Sequence, residues 1–247
     1  MSIADLIARV LLPKAICLSC GEPRRIDVND ELCDVCKGAL QDLRLSKHVC
    51  LHCLSPRSGG APCGYCINGG MEQLAAAYSP FHYHGVVQHL VARLKFGQID
   101  DAARPLAAGM TECISGITFD AMVPVPLHAK RLAERGLNQA EWLCQLISQS
   151  NGIPVQNALK RTRSTKRQSS LHEIKKRLEN VADAFEAVLT VEGMHLLLVD
   201  DVRTTGATAR ACARVLMGAG AADVSLLTAA VAPPREPKKS KGDRANA

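Results

Sequence analysis

Apolar residues recur along the chain at two different spacings, and the spacing predicts where strands and helices lie. Leu196 to Val199 form an unbroken apolar run, typical of a strand that is buried on both faces. Asp200 and Asp201 follow at the predicted end of that strand, and small or hydroxyl side chains occupy positions 204–208. An Ala-rich pattern over 207–217 then predicts a helix, so this stretch forms a strand–loop–helix unit.

The preceding part of the chain shows the same kinds of pattern. Apolar residues at helical spacing predict three helices, over 84–96, 101–116 and 139–150. Residues 78–83 predict a short strand whose proline is compatible with a sheet edge. Residues 120–128 predict a further strand, which stops at Pro124 and Pro126 because two prolines fix a rigid, extended exit.

The loop after the apolar run has the chemistry of an anion site. Backbone N–H groups and the dipole at a helix N-terminus point at one spot, and Gly206 permits the turn. The carboxylates of Asp200 and Asp201 accept hydrogen bonds from vicinal hydroxyls. The combination predicts a sugar-phosphate site, with a phosphate loop made of Thr204, Thr205, Gly206, Ala207 and Thr208.

Other interpretations of this stretch were open on sequence grounds. A nucleotide P-loop fits poorly because its lysine is missing. A phospho-receiver domain carries its acid pair near its N-terminus, whereas only about 45 residues follow the pair here. An ordinary strand–turn–helix with a threonine N-cap stays as the simplest alternative.

Eight of the eleven cysteines form four C-x-x-C pairs near the N-terminus. Each pair aims two thiolates at one point, and two pairs complete a tetrahedral zinc site. The pairs are Cys17/Cys20, Cys33/Cys36, Cys50/Cys53 and Cys63/Cys66. Sequential pairing into two sites is preferred, while interleaved pairing, redox dithiols and an iron–sulfur cluster are the alternatives. His48 and His52 are expected to be spare, and Cys113, Cys144 and Cys212 to be core residues.

Composition and charge add little that is specific. The 247 residues are 47% hydrophobic and 3% aromatic, which predicts a core of Leu, Val, Ile and Ala. The net charge is +6, and five basic and two acidic residues at 235–247 supply half of it, in a tail expected to be disordered. No apolar run reaches the length of a membrane span, and an amphipathic helix over 1–16 is predicted, with a cytoplasmic location.

Two basic stretches are further candidates for phosphate contact. Lys130, Arg131 and Arg135 follow the proline-rich strand exit, where a solvated helix face is the alternative. Residues 160–180 hold eight basic and two acidic side chains without a clear apolar period in their first part, which predicts a mobile loop. Such a loop either closes over a diphosphate or follows a nucleic-acid backbone.

The strand–loop–helix stretch resembles the phosphoribosyl-diphosphate loop of type I phosphoribosyltransferases. The resemblance implies that Asp200 and Asp201 bind ribose hydroxyls, and that the Thr-Thr-Gly-x-Thr segment starting at Thr204 binds the 5′-phosphate. It also implies magnesium, bound together with phosphoribosyl diphosphate. One departure matters: some members have an aspartate base where this chain has Thr204, so acid–base chemistry must come from elsewhere or be weak.

A wider set of motifs is similar to the ComF/GntX family over residues 15–232. In order they are the C-x-x-C module, Leu94-Lys-Phe96, Val123-Pro-Val-Pro126, Arg135-Gly-Leu-Asn-Gln139, Gln168 through Leu171 to Arg177 and Asn180, Ala184-Phe185 and the phosphate loop. The resemblance implies an α/β fold, with a type I phosphoribosyltransferase-like parallel sheet flanked by helices and a Cys-rich, double zinc-ribbon module. The expected boundaries are 1–70 for the module, 71–232 for the phosphoribosyltransferase-like domain and 233–247 for the tail.

The family resemblance implies a role in DNA uptake, competence or use of DNA as a nutrient. Besides the phosphate loop and acid pair, Pro126 and Lys95 are expected to bind substrate, and Arg135, Arg161 and Arg163 to assist catalysis. A true glutamine amidophosphoribosyltransferase is rejected, because the chain starts Met-Ser and no glutaminase domain fits in its first 70 residues. The alternative is a non-catalytic protein that binds single-stranded DNA or partner proteins, including DNA-uptake proteins, through the module and the basic loop.

Overall fold

The computed structural model describes residues 15–24, 30–45, 49–50, 52–54, 63, 66, 71–97, 99–163 and 184–232. Several predictions fall outside these described residues: most of the N-terminal helix, His48, the basic loop beyond Arg163 and the C-terminal tail. The helix was predicted over 1–16, and the structure describes its last two residues, Ala15–Ile16, which form a strand. The prediction of helix is therefore wrong for these two residues.

The centre of the protein is a parallel sheet. Its strands are β3 (Ala77–Tyr78), β4 (Phe81–His82), β5 (Ala121–Pro124), β8 (His195–Arg203) and β9 (Asp223–Val231). The order is β3–β9–β8–β5, and β4 continues the edge of β3 along β9. Ser79 and Pro80 separate β3 from β4, because a proline cannot donate to the ladder. The predicted edge strand is thus confirmed as two short pieces.

Helices cover one face of this sheet. They are α2 (Gly85–Ala92), α3 (Arg104–Cys113) and α5 (Gln139–Asn151). A π-helical turn at Arg93–Gly97 and a 3-10 turn at Asp100–Ala103 lie between α2 and α3, and the short helix α4 (Ala129–Arg135) precedes α5. Leu197, Val199 and Leu227 point to this face and join Leu90, Met110 and Ile147 in one cluster of fully buried side chains. The three predicted helices are confirmed: the first two have shorter bounds, and the third extends one residue further than predicted.

The opposite face is covered differently. Leu196, Leu198 and Leu226 pack there against α6 (Ala207–Gly218) and an antiparallel hairpin. The hairpin consists of β6 (Leu159–Arg161) and β7 (Phe185–Ala187), in register Arg161 to Phe185. Successive residues of β8 therefore alternate between two cores, as expected for a strand covered on both sides. The predicted fold class, an α/β protein with a parallel sheet flanked by helices, is confirmed.

The cysteine-rich region packs on the sheet domain at several points. It contains a small hairpin, β1 (Ala15–Ile16) with β2 (Pro23–Arg24), and the helix α1 (Asp34–Asp42). The chain after α1 runs along β4, where Leu45 N donates to the carbonyl of Pro80 and His82 N donates to that of Leu43. Where this module ends and the sheet domain begins stays a prediction.

Candidate functional site

The candidate site lies where β8 meets α6, at the carboxyl edge of the parallel strands. β8 extends to Arg203, so the acid pair lies inside the strand rather than after its end as predicted. Gly206 is the N-cap residue of α6 with a positive φ of 68°, a conformation that glycine adopts without strain. The alternative of a threonine N-cap is therefore wrong, because the glycine occupies that position.

A cavity opens at this junction. Its wall consists of Asp200, Val202, Arg203, the five phosphate-loop residues from Thr204 to Thr208, Ala209, Leu226 and Thr228. Backbone N–H groups of the first turn of α6, which begins at Ala207, have no intrahelical acceptor and face this end of the helix. The wall combines hydroxyls, one carboxylate and a helix N-terminus, which is the chemistry of a site for a phosphorylated polyol.

The two acids of the pair lie in different surroundings. Asp200 lines the cavity, whereas the carboxylate of Asp201 is nearly buried and forms an ion pair with Lys95, Nζ to Oδ2 2.5 Å. Adjacent residues of a strand point to opposite faces, and Asp200 shares its face with Leu198 while Asp201 shares its face with Val199. The backbone N–H of Asp201 donates to Oδ1 of Asp200 over 2.8 Å, which fixes the rotamer of the cavity-facing carboxylate.

The carboxyl group of Asp200 is poised between its two protonation states. Burial is the main cause, and the neighbouring carboxylate of Asp201 adds to it, so the pKa of Asp200 rises to about 7. The charges of Lys95 and Arg161 act in the opposite direction. Asp200 therefore changes charge near neutral pH, a property typical of functional sites.

A buried amide holds the turn that carries Lys95. Gln139 is 2% exposed, and its Nε2 donates to the carbonyl of Leu94 over 3.3 Å. The same amide accepts a hydrogen bond of 2.8 Å from Nη1 of Arg135. The guanidinium of Arg135 also lies over the ring of Phe96, 5.5 Å from its centroid. Two of the sequence motifs, 94–96 and 135–139, thus form one interlocked unit.

The predicted basic residues take up different positions. Arg161 of β6 is partly buried, and the charges that act on it include those of Arg131 and Asp200. Burial, followed by the charge of Arg131, lowers the pKa of Arg161, while Asp200 opposes this shift. Its guanidinium packs over Phe185 at 5.3 Å, and its Nε donates to the carbonyl of Arg163. The side chain of Arg163 is exposed to solvent.

Pro126 lies at the same edge of the sheet as the acid pair. The residue before it, Val125, donates its N–H to the carbonyl of Val199 over 2.9 Å, one position before Asp200. Asn138 Nδ2 in turn donates to the carbonyl of Val125, so the proline-rich exit is held on both sides. The half-buried Pro126 therefore lies at the sheet edge that carries the acid pair, and its role in substrate binding stays a prediction.

The eight paired cysteines form two clusters in sequential order. The sulfur atoms of Cys17, Cys20, Cys33 and Cys36 lie within 4.8 Å of one another, as do those of Cys50, Cys53, Cys63 and Cys66. Separations such as 3.9 Å between Cys20 and Cys33 and 3.8 Å between Cys50 and Cys66 approach the roughly 3.8 Å expected between sulfurs on one tetrahedral zinc ion. Sequential pairing is confirmed over interleaved pairing.

The geometry around the thiols suits a bound cation. Burial alone would raise the pKa of Cys17, but backbone N–H groups, that of Cys33 first, lower it to about 6. Burial likewise opposes the backbone donors at Cys50, which lower its pKa to about 7. Gly21 and Leu54 follow the first C-x-x-C pair of each cluster with positive φ, and each donates its N–H back to the carbonyl of the first cysteine of that pair. Four thiolates in this arrangement fit a structural metal ion.

The two clusters lie against opposite faces of the sheet. Cys17 and Cys36 belong to the core that contains α2, and Ser19 Oγ lies 3.2 Å from Nδ1 of His89 on that helix. Cys50 and Cys53 belong to the core that contains α6. The first cluster therefore supports the helix that leads to Lys95, while the second supports the phosphate-loop side.

Three features of the site were not predicted from the sequence. Thr228 of β9 lines the cavity, burial and then the charge of Asp200 raise the pKa of the Cys212 thiol, and Lys95 pairs with Asp201. The sequence hints at a role for Thr228 only through its hydroxyl group, which stands within the largely apolar segment 224–231. Nothing local in the sequence links Lys95 to Asp201, because the two residues are distant along the chain.

Several relatives match most of the chain. The DNA utilization protein YhgH of Salmonella typhimurium is 30% identical over 226 residues, which cover 88% of this chain and 97% of that protein. YhgH of Escherichia coli is 32% identical over 208 residues, covering 79% and 88%. The competence protein ComFC of Bacillus subtilis is 28% identical over 237 residues, covering 87% and 94%.

Solved structures resemble part of the chain. A glutamine phosphoribosylpyrophosphate amidotransferase from B. subtilis matches with a TM-score of 0.40 and 23% identity over 57% of this chain, and the match spans 30% of that enzyme. Trypanosoma cruzi hypoxanthine phosphoribosyl transferase matches with a TM-score of 0.34 and 12% identity, over 57% of this chain and 76% of that one.

No family model matches the sequence. The relatives decide the family instead, since the match to the Salmonella protein is 30% identical and extends over nearly the whole length of both proteins. The order of its motifs and its two cysteine clusters agree with that assignment. The chain belongs to the ComF/GntX family, together with the DNA utilization protein YhgH and the competence protein ComFC.

Proposed function

We propose that the chain binds phosphoribosyl diphosphate, or a related ribose 5-phosphate, at the edge where β8 meets α6. The observation that supports this most is the cavity wall, which combines the Asp200 carboxylate with the phosphate loop from Thr204 to Thr208 and the start of α6. The 5′-phosphate accepts hydrogen bonds from loop hydroxyls and from free backbone N–H groups at the helix start. The carboxylate accepts hydrogen bonds from the ribose diol.

The same geometry supports transfer of the phosphoribosyl group. Departure of diphosphate breaks the C1–O bond and leaves positive charge on the ribose ring, which the acceptor then attacks at C1. Because position 204 is a threonine, electrostatic stabilisation is the main assistance on offer. Lys95, which pairs with Asp201, and Arg161, whose charge acts on Asp200, are the cations that we propose stabilise the leaving diphosphate.

We expect phosphoribosyl diphosphate to bind together with magnesium. Oxygen atoms of the diphosphate and the carboxylate of Asp200 are the hard donors that magnesium prefers. When bound, magnesium neutralises part of the charge that develops on the leaving diphosphate.

The two cysteine clusters hold zinc in this proposal. Four thiolates around one point suit zinc better than magnesium or calcium, which take oxygen ligands. The ions are structural, since four protein ligands leave no open coordination position. Each ion stabilises packing on one face of the sheet, and the second ion does so near the side that carries the phosphate loop.

The relatives' names extend the proposal to DNA. YhgH is named for DNA utilization and ComFC for competence, so handling of incoming or nutrient DNA in the cytoplasm is the proposed context here. Among the described residues, no helix is long and apolar enough to cross a membrane. The rival is a non-catalytic protein that binds single-stranded DNA or DNA-uptake partners through the cysteine module and basic loop.

The test is calorimetric titration of the zinc-loaded protein with phosphoribosyl diphosphate in the presence of magnesium. The single variants Asp200→Asn and Thr205→Val are expected to weaken binding at least tenfold without changing the thermal midpoint of unfolding by more than a few degrees. Glu186→Gln, an exposed change in β7, is the matched control. Unchanged affinity in Asp200→Asn contradicts the site assignment, and binding without diphosphate release for a panel of acceptors favours the rival.

A further inference from the structure

Phe96 carries an exposed aromatic ring in the π-helical turn that follows α2. Its side chain is 69% exposed, in a protein in which 3% of residues are aromatic and Phe81 and Phe185 are buried. Burial in the core therefore does not account for this ring. It follows Lys95 directly, and Lys95 contacts the acid pair through Asp201.

The ring is held in a fixed arrangement with a guanidinium group. Arg135 lies over the ring with its Cζ 5.5 Å from the centroid, and its Nη1 donates to Gln139 Oε1 over 2.8 Å. The Nε2 of Gln139 donates to the carbonyl of Leu94, two residues before the ring. One buried amide thus orders both the cation and the turn that carries the aromatic ring, so little conformational entropy is lost when a ligand binds there.

We propose that Phe96 and Arg135 form a stacking platform for a planar heteroaromatic ring, that is, for a nucleobase. Arg135 lies over the aromatic ring, and the high exposure of Phe96 leaves ring surface open to a ligand. Base–aromatic stacking tolerates any base because every base has a π face, and an arginine adds a cation–π contribution.

The position of the platform relates it to the ribose-phosphate site. Phe96 directly follows Lys95, whose side chain contacts Asp201, so one turn carries both the ring and the cation of this ion pair. The proposal rests on the proposed function only where it relates the base to a bound ribose phosphate. The base has two sources, a free base that acts as the acceptor or a base within single-stranded DNA, and both offer the same planar ring.

The experiment measures affinity of the zinc-loaded protein for three probes by fluorescence anisotropy or calorimetry. The probes are free adenine, a short single-stranded oligodeoxynucleotide and an abasic oligonucleotide of equal length and charge. Phe96→Leu, which keeps an apolar side chain but removes the π face, is expected to weaken binding of a base-containing probe about 5- to 100-fold. Phe96→Trp is expected to retain or strengthen it, and the abasic probe to be unaffected by either change.

The controls separate this proposal from the previous one. Ile117→Ala changes an apolar residue, 37% exposed, that precedes β5 at the amino edge of the sheet, so it is expected to leave all three affinities unchanged. Phosphoribosyl diphosphate binding is expected to survive Phe96→Leu and to be lost in Asp200→Asn. Loss of adenine binding alone identifies a free base as the ligand, and loss of oligonucleotide binding alone identifies DNA. Equal affinity of wild type and Phe96→Leu for both base-containing probes overturns the platform, whatever happens at Asp200.

Discussion

Lys95 Nζ lies 2.5 Å from Asp201 Oδ2, and this ion pair joins the π-helical turn after α2 to the central strand β8. Both side chains are less than one-fifth exposed, at 18% and 12%, so solvent screens the pair only weakly. π-Helical turns are rare and occur frequently at functional sites. The lysine charge compensates the carboxylate of Asp201, which would otherwise repel the neighbouring carboxylate of Asp200 in a partly buried position.

Replacing Lys95 tests the importance of this pair. Lys95→Met leaves Asp201 with a nearly buried and uncompensated charge, so stability is expected to fall by about 2 kcal/mol. Affinity for phosphoribosyl diphosphate is expected to fall about tenfold as well. Denaturant unfolding and calorimetry measure the two effects. Lys130→Met, at an exposed position in α4, is the control, and equal behaviour of the two variants would show that the ion pair contributes nothing.

The raised pKa of Asp200 predicts a dependence of stability on pH. Its folded-state pKa of about 7 lies above the roughly 3.9 of an unfolded aspartate, so the native state binds more protons between these values. The contribution of this group to stability is therefore full below about pH 4 and is lost as the pH rises through 7. Asp200→Asn removes the titration, and it is expected to stabilise the protein more at pH 8 than at pH 4.5.

The same shift predicts how ligand binding responds to pH. An ionised carboxylate is the stronger acceptor for the ribose diol, so affinity for phosphoribosyl diphosphate is expected to rise between pH 6 and 8. Calorimetry with a fully ionised analogue, such as a sulfate ester of ribose, removes the titration of the ligand's own phosphate. Affinity that is flat across this range in wild-type protein would show that Asp200 does not titrate at the site.

Most elements of the fold could be predicted from the sequence, and the failures have local causes. The helices were predicted because their apolar spacing is regular, as at Val86, Leu90 and Leu94, and β8 was predicted because its apolar run leads into an acid pair and a small-residue loop. β9 was not identified, although it lies between β3 and β8 in the sheet. Ser225 and Thr228 interrupt its apolar run from Val224 to Val231 without giving a strict alternation, so the pattern matches neither a half-buried strand nor an amphipathic helix.

The candidate site was predictable to a different extent. The phosphate loop lies within one continuous stretch, so its residues could be named from the sequence. The division of tasks between Asp200 and Asp201 could not, because it depends on which side of a strand each side chain faces and on a lysine contributed by a separate helix. Sequential pairing of the cysteines was correctly preferred, and the shared core positions of Cys17 with α2 and Cys50 with α6 required the tertiary structure.

Metal content and its loss test the two cysteine clusters separately. Wild-type protein is expected to contain about two zinc ions per chain, whereas Cys20→Ser and Cys63→Ser are each expected to contain about one. Elemental analysis of protein purified without added metal measures this. Since the first cluster supports α2, Cys20→Ser is expected to weaken phosphoribosyl diphosphate binding through the Lys95 turn.

Cys113→Ser is the control for these variants, because Cys113 belongs to neither cluster. It is expected to retain both ions and full affinity for the ligand. Well-folded protein without metal, or unchanged zinc content in either cluster variant, would contradict the assignment of structural zinc sites.

The two neighbouring cations of β6 provide the sharpest test of which basic residues serve the site. The charge of Arg161 acts on the carboxyl group of Asp200, whereas the side chain of Lys160 is exposed in the same strand. Arg161→Met is therefore expected to lower turnover, measured as diphosphate release, about 10- to 100-fold, with a smaller change in ground-state affinity. Lys160→Met is expected to change neither quantity. Equal, salt-dependent losses of DNA affinity in both variants, with turnover unchanged, would instead identify β6 as part of a sequence-independent DNA-binding surface.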